Sequence, residues 1–135
     1  MQFPKECIIF GGGASISEGL QKGLLKEIEN KFVIGCNYSY NHYIPTFTSF
    51  VDKTFYETNI DTLKDLPLII GQGKKVKSHL ANSIFIPCRG DYKRDISGGV
   101  YTAKLSGMYA LTLAIYYLGR GTIYLLGYDF GVINK

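Results

Sequence analysis

The sequence predicts an α/β domain in which a mostly parallel sheet of about six strands lies between two layers of helices. Three observations support this prediction. Short apolar runs rich in β-branched and aromatic residues recur along the chain, as expected for strands that are buried on both faces. Segments with a helical period separate several of these runs. Glycine, asparagine or aspartate follows most of the runs, which is typical of strands that end in a tight turn.

The first unit along the chain is predicted to be a strand, a glycine turn and a helix. The apolar run Cys7–Phe10 leads directly into Gly11-Gly12-Gly13. Ser15 followed by Glu18 has the spacing of a capping box, which predicts that a helix starts here. Apolar side chains then recur with a helical period, at Leu20, Leu24 and Ile28.

Five further apolar runs predict the remaining strands, at residues 32–37, 46–51, 67–70, 83–86 and 122–126. A helix is predicted between the third and fourth strands, over residues 53–63. The longest helical pattern runs from Val100 to Leu118. Small residues at helical spacing along this pattern would let the helix lie close to the sheet.

Alternating strands and helices predict a Rossmann-like three-layer sandwich with parallel strands. The carboxyl ends of parallel strands lie along one edge of the sheet, and ligands of such sheets bind at that edge. The glycine turn, Asn37, Asp52 and Asp129 each follow a predicted strand. We therefore expect all four features at the ligand-binding edge.

Length, composition and charge limit the classes of partner. The chain, residues 1–135, is expected to form one domain with a substantial core, since 46% of its residues are hydrophobic. The net charge of +4 is spread along the chain. This suits a small anionic ligand better than nucleic acid, because nucleic-acid binders usually carry a dense basic stripe. No apolar run reaches the ~18 residues of a membrane span, so no membrane partner is expected. An open sheet edge makes a homo-oligomer one expectation.

The cysteines indicate the compartment. Cys7, Cys36 and Cys88 are odd in number, and no pair has the spacing of a metal site. Cys7 and Cys36 lie in apolar runs, where a free cysteine behaves as a small hydrophobic residue. The first residues also lack the apolar segment of a signal peptide. These features predict a cytoplasmic protein without disulfides.

A glycine turn between a strand and a helix suits phosphate. Glycine allows close approach to the backbone, and the first amides of a helix have no intrahelical partner. The helix dipole adds about half a positive charge at the same end. Gly11, Gly12, Gly13 and Ser15 are therefore candidate phosphate ligands, and the alternative is a tight turn without a ligand.

The turn matches neither familiar phosphate-binding fingerprint. A dinucleotide-binding loop needs glycine or alanine where this chain has Ile16, and an acidic residue where it has Asn37. A Walker loop needs Gly-Lys-Ser/Thr after four spacers, which the chain lacks. The sequence thus predicts neither a standard NAD site nor a P-loop.

Five other residues are candidates for the site. Asn37 could bind a ribose or a base, or merely cap its strand. Asp52 and Asp129 follow apolar strands and could hold Mg²⁺ together with phosphate oxygens, or act as ordinary strand-end carboxylates. Ser106-Gly107 lies inside the long helical pattern and would form a second phosphate-facing N-terminus if that helix began later than Val100.

Short motifs spread over nearly the whole chain resemble one family. They lie in the loop Phe10–Ile16, the strand end Ile34–Asn37, the segment Pro45–Asp52 and the stretch Ser106–Phe130. Together they resemble the 6-hydroxymethylpterin diphosphokinase-like family, formerly a domain of unknown function, and are similar to Campylobacter-type bacterial sialyltransferases. In those sialyltransferases the catalytic histidine lies beyond the Gly-x-Asp-Phe motif, whereas this sequence ends at Lys135. The resemblance therefore implies a truncated member.

The resemblance also implies roles for single residues. In that family the glycine loop, the strand-end asparagine and the Ser-Gly pair bind the nucleotide part of the donor. Carried over, this assigns nucleotide binding to Gly11, Gly13, Ser15, Asn37, Ser106 and Gly107. The sialyltransferase loop has asparagine in place of Gly12 and proline in place of Ala14.

Three hypotheses for the function follow. The first is a diphosphokinase-like transferase that moves a diphosphate from ATP to a hydroxymethyl group, with Mg²⁺ near Asp129 or Asp52. The second is a glycosyltransferase that uses a nucleotide sugar such as CMP-sialic acid. The third is a nucleotide-binding module without catalysis.

Overall fold

The computed structural model describes residues 5–72, 76, 78–103, 105–118 and 121–128. Six strands form a single all-parallel sheet, which confirms the predicted α/β class. These strands are β1 (Glu6–Phe10), β2 (Val33–Cys36), β3 (Phe47–Phe50), β4 (Ile69–Gly71), β5 (Ser83–Phe85) and β8 (Thr122–Leu126). A separate parallel pair consists of β6 (Cys88–Arg89) and β7 (Val100–Tyr101).

The helices connect the strands and cover the sheet. They are α1 (Ser15–Gln21), α2 (Leu24–Ile28), α3 (Lys53–Thr58), α4 (Ile60–Leu63) and α5 (Ser106–Leu118), with a 3-10 helix at Asn37–Asn41. The strand order is β5-β4-β3-β2-β1-β8. The chain thus moves outward from β1 to β5 and then crosses to the other side of β1.

The packing of β1 shows that helices lie on both faces of the sheet. Successive side chains of this strand belong to different hydrophobic clusters. Cys7 and Ile9 pack in one cluster with Tyr109 and Leu113 of α5. Ile8 and Phe10 pack in another cluster with residues of α1 and α2. Successive side chains of a strand point to opposite faces, so α5 lies opposite α1 and α2.

The predicted helix from Val100 to Leu118 is wrong at its start. Val100 belongs to β7, and α5 begins only at Ser106. A turn separates the two elements, in which the amide of Leu105 donates to the carbonyl of Thr102 at 2.7 Å. Ala103 has a φ of 45° in this turn, which a right-handed helix cannot contain.

Two other predicted helices are divided. Gly23 has a φ of 89° and separates α1 from α2, while Asn59 separates α3 from α4.

The predicted capping box is also absent. The residue before α1 is Ala14, without a side-chain cap, and Glu18 pairs with Lys22 at 2.8 Å instead. A salt bridge one helical turn along thus replaces the reciprocal cap.

Cys7, Cys36 and Cys88 are free thiols. In the part of the chain that the structure describes, no helix is long and apolar enough to cross a membrane.

Candidate functional site

The candidate site lies where the strand order reverses, between β1 and β8. The chain leaves β1 through the glycine turn and reaches β8 only after crossing the opposite face. In open parallel sheets such a reversal leaves a crevice beyond the carboxyl ends of the two strands. Gly11 follows β1 and Gly127 follows β8, so both border this crevice.

The crevice contains a cavity of about 330 Å³, which we call the main cavity. The end of β2 and the start of α5 complete its walls. The side chains with polar groups on its border are Cys36, Asn37, Ser106 and Tyr128, and four glycines present their backbone there, namely Gly11, Gly12, Gly107 and Gly127. The aliphatic and thioether side chains are Leu105, Met108, Leu111 and Leu125. Among the described residues on its border, none is Lys, Arg, Asp or Glu.

Two amides of the glycine turn are used to anchor it. The amide of Gly11 donates to the carbonyl of Leu126 at 2.7 Å, and that of Gly13 donates to the carbonyl of Gly127 at 2.8 Å. These bonds attach the turn to the end of β8. The Gly13 amide is therefore unavailable to a phosphate, contrary to the simplest version of the predicted loop.

Gly11 and Gly12 are glycines for different reasons. A Cβ on Gly11 would stand 2.7 Å from the carbonyl oxygen of Gly127 and 2.9 Å from the Tyr128 ring. Packing therefore requires glycine at position 11. A Cβ on Gly12 would meet nothing within 4 Å, since this residue is exposed and borders the cavity. Nothing in the described chain requires glycine at position 12, whereas a ligand lying against the backbone would.

The start of α5 is the second group of amides at the site. The first amides of a helix have no intrahelical acceptor, and the helix dipole makes this end positive. Ser106 and Gly107 open α5 and border the main cavity. The sequence predicted a second helix N-terminus at the site only if this helix began later than Val100. Because α5 begins at Ser106, that condition is met.

Asn37 connects the end of β2 to α5. Its φ is 51°, a left-handed conformation that asparagine tolerates better than most residues. Its Nδ2 donates to the Oγ of Ser106 at 3.2 Å. Among the described residues, its Oδ1 is buried without a hydrogen-bond donor. A buried oxygen in this state costs free energy, and a donor group on a ligand would remove that cost.

Cys36 and Tyr128 form the inner wall of the main cavity. Burial raises the pKa of the Cys36 thiol to about 11, although its side-chain hydrogen bonds with Ser49 and Tyr128 act in the opposite direction. Burial also raises the pKa of the Tyr128 phenol, whose Oη donates to the carbonyl of Gly107 at 2.9 Å. Both groups stay protonated near neutral pH. Neither residue is therefore a thiolate or phenolate nucleophile.

Two further cavities adjoin the main cavity, and Asn37 borders all three. The first, of about 260 Å³, contains Gly13 and His42. The second, of about 430 Å³, contains Ser106 and Asp52. Asn37 thus lies where three neighbouring cavities meet along the carboxyl ends of β1, β2 and β3.

Of the two predicted metal ligands, Asp52 and Asp129, only Asp52 lies in the part of the chain that the structure describes. The Oδ1 of Asp52 accepts from the amide of Thr54 at 2.9 Å and so caps α3. Asp129 lies outside the described residues. Within the described ranges no group of three or more His, Cys, Asp or Glu residues could hold a metal ion. Among the described residues, a Mg²⁺ ion at Asp52 would therefore be completed by water and by phosphate oxygens of a ligand.

The structure brings most of the predicted site residues together. Gly11, Gly12, Asn37, Ser106 and Gly107 border the main cavity, and Gly13 borders the adjoining one. Ser15 is exposed on α1 and borders none of the three cavities.

Sequence reasoning did not single out Cys36, Leu105 and Tyr128, which also border the main cavity. Cys36 and Tyr128 each end or follow a parallel strand, and this position could have identified them. Leu105 has no comparable signal, because it depends on the point at which α5 begins.

Comparisons with protein-family models, with characterised proteins and with solved structures find no match to this chain.

Proposed function

We propose that this domain binds a nucleotide or a similar phosphate ester in the main cavity. The observation that carries the proposal is the cavity itself, at the point of strand reversal, between an unobstructed Gly12 and the start of α5. Backbone amides and a positive helix end together favour an anion there. A volume of about 330 Å³ lies within the usual range of small-molecule sites.

The borders of the cavity suggest how the ligand lies. The phosphate contacts Gly12 and the first amides of α5. A hydroxyl or amino group of the ligand donates to the Oδ1 of Asn37. The planar or apolar part of the ligand packs against Leu105 and Leu125, and Leu105 is 52% exposed before any ligand binds.

A diphosphokinase-like transfer from ATP to a hydroxymethyl group is our first proposal for a reaction. Mg²⁺ would neutralise the phosphate charge in such a transfer. Asp52 is the one described carboxylate that borders any of the three neighbouring cavities, and Mg²⁺ is commonly held by one or two carboxylates with substrate phosphates. Asp52 therefore suits a metal bound together with a nucleotide.

A nucleotide-sugar transferase is the second proposal, and one observation favours it. Among the described residues, no lysine or arginine borders the main cavity. A triphosphate carries several negative charges that cations usually neutralise, whereas the phosphodiester of a sugar nucleotide such as CMP-sialic acid carries one. A binding module without catalysis is the third, because no described residue on the main cavity is an evident acid or base at neutral pH.

Thermal-shift measurements with ATP, GTP, CTP and CMP, each with and without Mg²⁺, test the proposal. Stabilisation follows mass action, so ligand at about 100 times its Kd adds roughly 2.7 kcal/mol. A response to ATP that needs Mg²⁺ supports the diphosphokinase reaction. A response to CMP without Mg²⁺ supports the nucleotide-sugar reaction. No response to any of the four overturns nucleotide binding.

A further inference from the structure

Tyr128 contacts three walls of the main cavity at once. Its Oη donates to the carbonyl of Gly107 in α5 at 2.9 Å and lies 4.0 Å from the Sγ of Cys36 at the end of β2. Its ring lies so close to Gly11 that a Cβ there would be 2.9 Å from Cδ1. The glycine turn, β2 and α5 are far apart in sequence, and the Tyr128 side chain contacts all three.

The ring also explains the glycine at the start of α5. A Cβ on Gly107 would stand 3.0 Å from Cε2 of Tyr128 and 3.3 Å from its Cζ. Such distances are shorter than ordinary van der Waals contact. The helix thus approaches the ring as closely as its backbone allows, and the hydroxyl then bonds to the backbone carbonyl of the same residue.

We propose that Tyr128 is a positioning residue that fixes the start of α5 against the glycine turn and so sets the width of the main cavity. The positioning itself is a property of the protein alone. Its consequence for a ligand rests on the proposed function, since the amides near Gly12 and Gly107 must be correctly spaced to share one phosphate.

Tyr128→Phe is the mildest test, because it removes only the hydroxyl. Tyr124→Phe is the matched control, since Tyr124 lies in β8 and is exposed. Amide hydrogen exchange should become several-fold faster at Tyr109 and Leu111, in the first turns of α5, and stay unchanged at Tyr117. Equal rates in the two variants, or equal acceleration along all of α5, would overturn the positioning role.

A double-mutant cycle, which we call the steric cycle, tests the contact between Gly107 and the Tyr128 ring independently of the hydroxyl. Gly107→Ala should lower the melting temperature of the wild-type protein but not that of Tyr128→Leu, in which the ring is absent. Gly11→Ala should lower it in both backgrounds, because the backbone oxygen of Gly127 remains 2.7 Å from the new Cβ. Additive effects of Gly107→Ala and Tyr128→Leu would contradict the proposal.

Calorimetric titration with CMP and with ATP plus Mg²⁺ tests the consequence for the ligand. We expect Tyr128→Phe to weaken binding of the active probe at least about fivefold, and Tyr124→Phe to leave it unchanged. Equal affinity of both variants would refute the effect on the cavity. If wild-type protein binds neither probe, the proposed function fails, while hydrogen exchange and the steric cycle still decide the role of Tyr128.

Discussion

Asn37 donates a hydrogen bond of 3.2 Å to the hydroxyl of Ser106, across 69 residues of sequence. The bond joins the end of β2 to the first residue of α5. It uses the donor side of the Asn37 amide and leaves Oδ1 buried without a donor among the described residues. The side chain is therefore oriented, and its Oδ1 remains able to accept a hydrogen bond.

Asn37→Gly should weaken ligand binding without unfolding the protein. Glycine tolerates the φ of 51° at this position, so the backbone is not strained. Loss of one buried hydrogen bond of about 1.4 kcal/mol lowers the affinity roughly tenfold. Asn30→Gly is the control, because Asn30 is exposed and has a φ of 64°. Calorimetric titration of both variants with CMP and ATP checks this, and equal affinities would refute it.

Gly12→Val should abolish binding and leave stability nearly unchanged. A Cβ here would meet nothing within 4 Å, while the methyl groups of valine would occupy the space beside the phosphate. Gly90→Val is the matched control, since a Cβ on Gly90 also meets nothing within 4 Å and Gly90 borders none of the three cavities. Melting curves with and without nucleotide separate the two variants. Retained binding in Gly12→Val would remove the glycine turn from the site.

Tyr109→Phe should lower the free energy of unfolding by about 1–3 kcal/mol, because it removes the hydroxyl of a fully buried side chain and leaves a partly buried carbonyl without this donor. The Tyr109 side chain is fully buried and its hydroxyl donates to the carbonyl of Ile86 at 2.8 Å. The exposed Tyr116 on the same helix provides the control, and Tyr116→Phe should change stability by less than about 0.5 kcal/mol. Urea denaturation compares them. Equal losses of stability in the two variants would contradict the packing of Tyr109 and α5 against the sheet.

Stability should decrease in alkaline solution because of two buried thiols. Burial raises the pKa of Cys36 to about 11 and that of Cys7 to about 12, whereas a free thiol titrates near 8.5. The folded state thus holds these protons longer than the unfolded state. Their contribution is complete below about pH 8.5 and is lost as pH rises towards the folded values. In urea denaturation from pH 8 to 10, the Cys7→Ala/Cys36→Ala variant should show a flatter decrease than wild type, and parallel curves would contradict this.

The six sheet strands could be predicted from the sequence because strands buried on both faces carry continuous apolar runs. The start of α5 could not be predicted in the same way. Apolar and small residues keep a helical spacing from Val100 to Leu118, and the break between β7 and α5 depends on a turn with Ala103 at positive φ. Alanine gives no local signal for that conformation.

The site was predictable in part for a similar reason. Asn37 follows a strand, and Ser106-Gly107 has the composition of a helix start, so each could be identified separately. Their hydrogen bond and the unsatisfied Oδ1 depend on how two distant elements pack. The role of Tyr128 depends on two glycines from different elements that meet the same ring.

Nuclear magnetic resonance titration of the ¹⁵N-labelled wild-type protein tests the central claim most directly. CMP, and ATP with Mg²⁺, are added while the backbone amides are followed. The proposed site predicts saturable shifts at Gly12, Ser106 and Gly107 with at least one nucleotide, while Gly90 stays unchanged. Shifts confined to other surfaces, or no saturable shift with either nucleotide, would contradict nucleotide binding in the main cavity.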